Sequence, residues 1–349
     1  LPVEAFRRLA EESLEPDVRA YVEGGAGDGS TVRRNREAWE AVELRPRVLA
    51  GVGEPDLSVE LLGRRRPSPF VISPTALNTL VHADGEPAVA RAAARHRAAA
   101  YCLSTAAAVD PGALAAAAPG VAHWLQLYIL RDRGLTGDAI AAAEAAGFEA
   151  IVLTVDAPVL GLRDHEAGSG VTGRTAVAGD ATPSTPGDFA RLLDPSLTWD
   201  DLARLVDESP LPVLVKGIVR GDDAARAIDA GAAGVIVSNH GGRQLEGAVA
   251  TARALPEVVE AVDGAGDVIV DGGLRTGRDV AAALALGAGA VGLGRPLLWG
   301  LAAAGETGAR RVLERLRQET EIALTLLGAA RAGAVDRDLV RFTDQTSGR

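Results

Sequence analysis

Eight short apolar runs, each separated from the next by helical or loop sequence, constrain this chain more than any other feature. They lie at 70–73, 100–104, 124–129, 150–155, 212–217, 234–240, 268–272 and 290–294. Amphipathic, alanine-rich segments at 86–98, 137–146, 199–206, 222–230, 255–262 and 277–286 alternate with them. Runs this short, apolar throughout and bounded by glycine or polar residues, read as strands buried on both faces. Alternation of strand and helix implies parallel strands joined by helical crossovers. An open doubly wound sheet is the alternative, but eight units favour closure into a (β/α)8 TIM barrel. A last helix at 305–327 completes the ring. A length of 349 residues suits one barrel domain over 1–349.

Two stretches fall outside the repeat. Residues 1–65 come first and read as a cap on one end of the barrel. Helical spacing covers 3–22, a glycine-rich break covers 24–29, a second helix fits 31–39, and 57–63 reads as a small hairpin. The second stretch is the interval between the fourth and fifth runs. It spans about 55 residues against about 20 to 30 elsewhere, and the excess, 161–197, is rich in Gly, Thr, Ser, Ala and Pro. A loop that long is functional or mobile. It leaves the C-terminal end of a barrel strand, where active sites sit, so a lid is the expected role.

Polar residues recur where the strands end. Gln126 and Tyr128 share a face at the third end, Thr154 and Asp156 at the fourth. Lys216 ends the fifth, Ser238 and His240 the sixth. Asp271-Gly272-Gly273 with Arg275 closes the seventh, and Gly294-Arg295 the eighth. A core needs none of these groups, and burying them unpaired is costly. The stretch 238–247, Ser-Asn-His-Gly-Gly-Arg-Gln-Leu-Glu-Gly, adds a pattern of its own. His240 at a strand end is a candidate general base. Arg243, three residues on, is a planar fork suited to a carboxylate. The glycines and arginines of the last two ends read as a phosphate site, since loops after strands seven and eight commonly hold phosphate in barrels.

Composition removes several classes. A net charge of −11 argues against a nucleic-acid partner. The single cysteine, Cys102, excludes an internal disulfide and a cysteine metal cluster. No run reaches spanning length and no signal peptide is visible, so the expectation is a cytoplasmic enzyme without membrane attachment. His82, His96, His123 and His165 lack the motif company of His240 and read as surface or structural.

With these residues in order, the chain resembles the FMN-dependent α-hydroxy acid oxidases and dehydrogenases. The resemblance rests on Arg45-Pro46-Arg47, Pro74-Thr75-Ala76, Gln126-Leu127-Tyr128, Leu153-Thr154-Val155-Asp156, Val215-Lys216-Gly217, Ser238-Asn239-His240-Gly241, Arg243-Gln244-Leu245, Asp271-Gly272-Gly273 and Gly294-Arg295-Pro296. It covers about residues 20 to 330. It implies FMN as cofactor and (S)-2-hydroxy acid oxidation to a 2-keto acid. By resemblance His240 removes a substrate proton and Asp156 supports its imidazolium form. Arg163 and Arg243 bind the substrate carboxylate with help from Tyr21, and Tyr128 bonds near the reacting carbon and hydroxyl. Lys216 stabilises the reduced ring, which Ala76, Ser104, Gln126, Thr154 and Ser238 line. Asp271 meets the ribityl chain, and Gly273, Arg275, Gly294 and Arg295 hold the phosphate. No metal is implied, and a homotetramer is. On the residues alone, Tyr21 also reads as the end of a helix, Arg163 as a solvated loop cation and Asp156 as a helix N-cap.

Two departures bear on substrate. The segment 164–170 replaces a basic, Asn- and Phe-containing stretch, and Ala106 stands in a run where some members carry tryptophan. The smaller side chain widens the pocket. The chain is therefore most similar to the mandelate and 4-hydroxymandelate oxidase branch, with O2 reduced to H2O2. Lactate- or glycolate-type oxidation and a dehydrogenase with another acceptor remain alternatives. A flavin-binding barrel without turnover is the reading from another class, and the presence of His240, Arg243, Tyr128 and Lys216 together weighs against it.

Overall fold

The structure, a computed structural model, describes residues 1–166 and 186–343. In chain order, helices α1 (Val3–Ser13), α2 (Pro16–Glu23) and α3 (Ser30–Glu40) form the cap, followed by strands β1 (Val42–Leu44), β2 (Val59–Leu61) and β3 (Arg64–Arg66). The barrel strands are β4 (Phe70–Ile72), β5 (Ala100–Ser104), β6 (His123–Leu127), β7 (Ala150–Thr154), β8 (Val213–Ile218), β9 (Gly234–Val237), β10 (Asp267–Val270) and β11 (Ala290–Leu293). Around them lie α4 (Gly85–Arg95), α5 (Pro111–Ala117), α6 (Arg133–Ala145), α7 (Pro186–Leu192), α8 (Trp199–Glu208), α9 (Gly221–Asp229), α10 (Thr251–Val262), α11 (Gly277–Ala285) and α12 (Arg295–Leu327). A last strand, β12 (Val340–Phe342), pairs antiparallel with β1. Among the described residues no helix is long and apolar enough to cross a membrane.

The eight strands β4 to β11 close into one parallel barrel in sequence order. Period-two alternation sorts each strand into two faces. Ile151, Leu153, Val213, Val215, Val235 and Val237 point outward to the helices. Val71, Ala100, Cys102, Trp124, Ala150, Val152, Leu214, Ile236 and Ile269 fill the interior, which Leu61 of the hairpin plugs from below. Continuing that inner alternation upward gives Ser104, Gln126, Thr154, Lys216, Ser238 and Asp271. The apolar layers thus set a polar layer above them.

The expected elements differ from the observed ones in places. The stretch 3–22 is two helices, because Pro16 starts α2 and cannot continue α1. The sixth run stops at Val237, so His240 lies past the strand in a 3-10 turn. The final helix starts at Arg295 rather than 305, with a non-helical break at Ala304 and Gly305. Helix α5 was not expected, although Asp110 caps it by accepting from the Ala113 amide. Of the expected lid, residues 167–185 lie outside the described residues.

Candidate active site

The polar layer is knotted by Gln126. Its Oε1 accepts from Ser104 Oγ and the Thr105 amide, both at 3.2 Å, and its Nε2 donates to Thr154 Oγ1 at 3.0 Å. Across the barrel, Lys216 Nζ donates to Ser238 Oγ at 2.9 Å and lies 3.5 Å from Asp271 Oδ2. Burial disfavours the ammonium, but Asp271 and Asp156 outweigh it and raise its pKa, so Lys216 is a cation. Ser238 is fully buried and does not border the open cleft; its hydroxyl also accepts from the His240 amide at 3.1 Å.

His240 faces the cleft with its Nδ1 3.0 Å from Asp156 Oδ1. Burial pushes the Asp156 carboxyl up, but the His240 partner and Lys216 more than offset it, and its pKa falls below the ordinary value. Asp156 is thus ionised and placed to accept a hydrogen from Nδ1, which leaves Nε2 as the ring nitrogen not bonded to it. Asp156 sits behind the histidine rather than on the cleft wall. Gly217 makes room for it: at φ +113°, a Cβ there would lie 2.6 Å from the Asp156 Cβ.

Arg163 and Arg243 lie together on the cleft wall, their side chains mostly buried. Arg243 Nη1 donates to the carbonyls of Tyr21 at 2.7 Å and Gly24 at 2.8 Å. Arg163 Nε donates to the Arg243 carbonyl at 3.2 Å. Glu166 bridges the two guanidiniums, accepting from Arg243 Nη2 at 2.9 Å and Arg163 Nη1 at 3.2 Å. Burial and the Arg163 charge pull the Arg243 pKa down, and Glu166 partly offsets them. Nη1 and Nη2 of Arg243 are engaged by the Tyr21 and Gly24 carbonyls and by Glu166, and Nε has no protein acceptor among the described residues. Tyr21 lies under Arg243, 5.1 Å from ring centroid to guanidinium, and its hydroxyl donates to the Ala76 carbonyl at 3.3 Å.

Beyond β10 and β11, Gly273, Arg275, Gly294 and Arg295 line the far end of the same cleft. Arg295 donates to the carbonyls of Val22, Gly241 and Gly24 at 2.9, 2.9 and 2.7 Å. Arg275 stacks 4.7 Å from the Trp299 ring centroid. Among the described residues neither makes an ion pair with a carboxylate, and burial pulls both pKa values down. Two buried cations without a carboxylate partner suit an anion at this end of the cleft. Helix α3 supports this end: Trp39 Nε1 donates to the Gly272 carbonyl at 2.8 Å and Arg36 Nη1 to that of Gly273 at 3.2 Å.

One cleft therefore joins Tyr21, Ala76, Ser104, Gln126, Tyr128, Thr154, Arg163, Lys216, His240, Arg243 and Asp271 with Gly273, Arg275, Gly294 and Arg295. Among the wall residues that escaped the sequence reading are Leu160, Phe189 and Leu193. Phe189 meets Tyr128 edge-on, with centroids 5.9 Å apart, and packs with Ala106 and Leu130. Its only signal was being the one aromatic in a stretch of small and polar residues. Glu166 was also missed, although its i,i+3 spacing from Arg163 suits an ion pair. His123 is buried below the barrel rim against the Ala118 carbonyl, away from the cleft. No group of three metal-ligating side chains occurs among the described residues.

A family profile described as FMN-dependent dehydrogenase matches residues 10–342. The chain is 42% identical to an L-lactate oxidase of Nostoc sp. over 97% of both chains. It is 40% identical to a 4-hydroxymandelate oxidase of Amycolatopsis orientalis, over 95% of this chain and 96% of the relative. A crystal structure of mandelate oxidase with (S)-2-phenylpropionate superposes with a TM-score of 0.88, at 39% identity over 98% of both chains.

Proposed function

Since the chain belongs to the FMN-dependent dehydrogenase family and is an FMN-dependent 2-hydroxy-acid oxidase by its relatives, we propose that its substrate is an aryl (S)-2-hydroxy acid. Mandelate or 4-hydroxymandelate would give the 2-keto acid, with O2 reduced to H2O2. The observation that carries the reading is one cleft holding the His240–Asp156 pair, the Arg163–Arg243 pair and an apolar wall of Ala76, Leu77, Ala106, Leu160 and Phe189.

The residues present fit FMN. Arg275 and Arg295 lack an anionic partner at the glycine-rich end, where they would hold the phosphate. Asp271 Oδ1 is buried without a hydrogen-bond partner and would accept from the ribityl chain. Gln126, Ser104, Thr154 and Lys216 present amide, hydroxyl and ammonium groups that would hold the polar edge of the ring. Bound there, FMN supplies a two-electron acceptor.

The chain's own residues do the rest. Arg163 and Arg243 hold the carboxylate, which fixes the α-carbon relative to His240. His240 Nε2 takes a proton as the alcohol becomes a carbonyl, and Asp156 offsets the charge that forms on the ring. Burial and the Asp156 charge raise the Tyr128 pKa, so its hydroxyl stays protonated and donates to the substrate oxygen. The aryl ring lies against the wall at Ala106 and Phe189, and aryl conjugation spreads negative charge developing on the α-carbon.

A second reading, a small acid such as lactate, is favoured by the likeness to the Nostoc oxidase. Steady-state kcat/KM for mandelate, 4-hydroxymandelate, lactate and glycolate, with H2O2 measured against keto acid, decides between them. One peroxide per keto acid and a preference for the aryl acids are expected. Preference for lactate supports the second reading, and absence of peroxide points to an acceptor other than O2.

A further inference from the structure

His240 is a strained residue. Its φ is +57°, in the left-handed region that a non-glycine side chain disfavours. Such a conformation persists only where the surroundings over-determine it. The neighbour Asn239 supplies the local restraint, because its Oδ1 accepts from the Gly242 amide at 3.1 Å and closes the turn around the histidine. Asn239 is in turn held from outside the barrel. Asn35 of α3 donates from Nδ2 to Asn239 Oδ1 at 2.8 Å, and Asn239 Nδ2 donates back to Asn35 Oδ1 at 2.8 Å. We propose that Asn35 is a positioning residue for the base His240, acting through this reciprocal amide pair; the proposal rests on His240 being the base.

Hydrogen-bond capacity fixes the pair in one orientation. Asn239 Nδ2 also donates to the Val249 carbonyl at 3.0 Å. Flipping the Asn239 amide would set donor against the Gly242 N–H and acceptor against the Val249 carbonyl. Asn35 must therefore present a donor to Oδ1 and an acceptor to Nδ2, and its own Oδ1 is further pinned by the Thr251 amide at 3.3 Å. Both side chains are buried, 1% and 6% exposed, so water does not replace a lost partner freely. The helix backbone presses on the same turn. Gly242 has φ +82°, and a Cβ there would stand 2.7 Å from the Val32 amide nitrogen. Neither asparagine borders the cleft, so the pair reaches the substrate through the turn that carries His240 rather than by contact.

Two variants separate placement from general stability. Asn35→Asp keeps the shape but loses the Nδ2 donor and sets a carboxylate oxygen against Asn239 Oδ1. Asn35→Ser leaves room for a water that restores part of the bonding. Anaerobic bleaching of bound FMN by (S)-mandelate gives the reduction rate at saturation and the substrate Kd in one titration. The rate is expected to fall roughly 10- to 100-fold for Asn35→Asp and less for Asn35→Ser. The Kd should stay within about threefold and FMN content should be unchanged. A wild-type rate in both variants would overturn the proposal. So would a parallel collapse of rate and Kd, loss of FMN, or failure of both variants to fold, since each assigns the pair to the stability of the cap. A wild-type enzyme bleached by no 2-hydroxy acid would instead sink the reading of His240 on which the proposal rests.

Discussion

Replacing Ala106 by tryptophan tests what the cleft wall selects. Ala106 is 6% exposed and packs with Leu130, Phe189 and Leu193, flanked by Ala76 and Tyr128. A phenyl ring presents roughly 100 Å² more apolar surface than a methyl group, about half of what a large aromatic side chain buries. At about 25 cal/mol per Å² this is about 2.5 kcal/mol, or about 70-fold in kcat/KM, if the whole ring is buried in the transition state. The cleft has an open mouth, so burial is partial. The wild type should prefer mandelate over lactate by at least about tenfold, a difference of about 1.4 kcal/mol. An indole at position 106 takes the space beside Phe189 that the substrate ring needs, while the lactate methyl does not reach it. The ratio should fall toward one through loss of mandelate activity. Oxygen uptake with both acids, on wild type and variant loaded equally with FMN, reads the ratio directly. Equal rates on the two acids in the wild type, or a variant with full mandelate activity, would refute the assignment of this wall to the substrate side chain.

Arg243→Lys should raise KM strongly and lower kcat as well, because a point charge cannot reproduce a planar fork that already spends Nη1 on the Tyr21 and Gly24 carbonyls; wild-type kinetics would remove Arg243 from the carboxylate site. Stripping FMN should lower Tm, since Arg275 and Arg295 are left buried without an anion. Inorganic phosphate at about 100 times its Kd should restore about 2.7 kcal/mol. If chloride at equal ionic strength restores as much, the phosphate end is misassigned.

The barrel was legible because its strands are buried on both faces. All five residues of β7 are buried, so the run at 150–155 could be little else. The site was legible for the same reason: with apolar residues obligatory on the inner face below, Gln126, Thr154, Lys216 and Asp271 at the strand ends had no structural excuse. What escaped depends on contacts distant in sequence. Pairing of Val42–Leu44 with Val340–Phe342 joins two three-residue strands almost three hundred positions apart, and neither carries a pattern of its own. Phe189 comes to Tyr128 only through the packing of α7, which no local periodicity encodes. Helix α3 was foreseen as a cap element, but not that Asn35, Arg36 and Trp39 on it brace both the histidine turn and the Gly272-Gly273 loop. Hydrogen bonds between a helix flank and a distant loop leave no signature in either segment alone.

On the proposed function, His240 takes the substrate proton while Arg163 and Arg243 hold the carboxylate in the same cleft. Anaerobic mixing of the FMN-loaded protein with (S)-mandelate, followed by flavin absorbance, tests it most directly when run beside His240→Ala. The wild type should bleach fully. The variant should bind the acid with little change in Kd and stay oxidised, because the arginines remain and the base is gone. A variant that bleaches at the wild-type rate, or a wild type that never bleaches, would contradict the account.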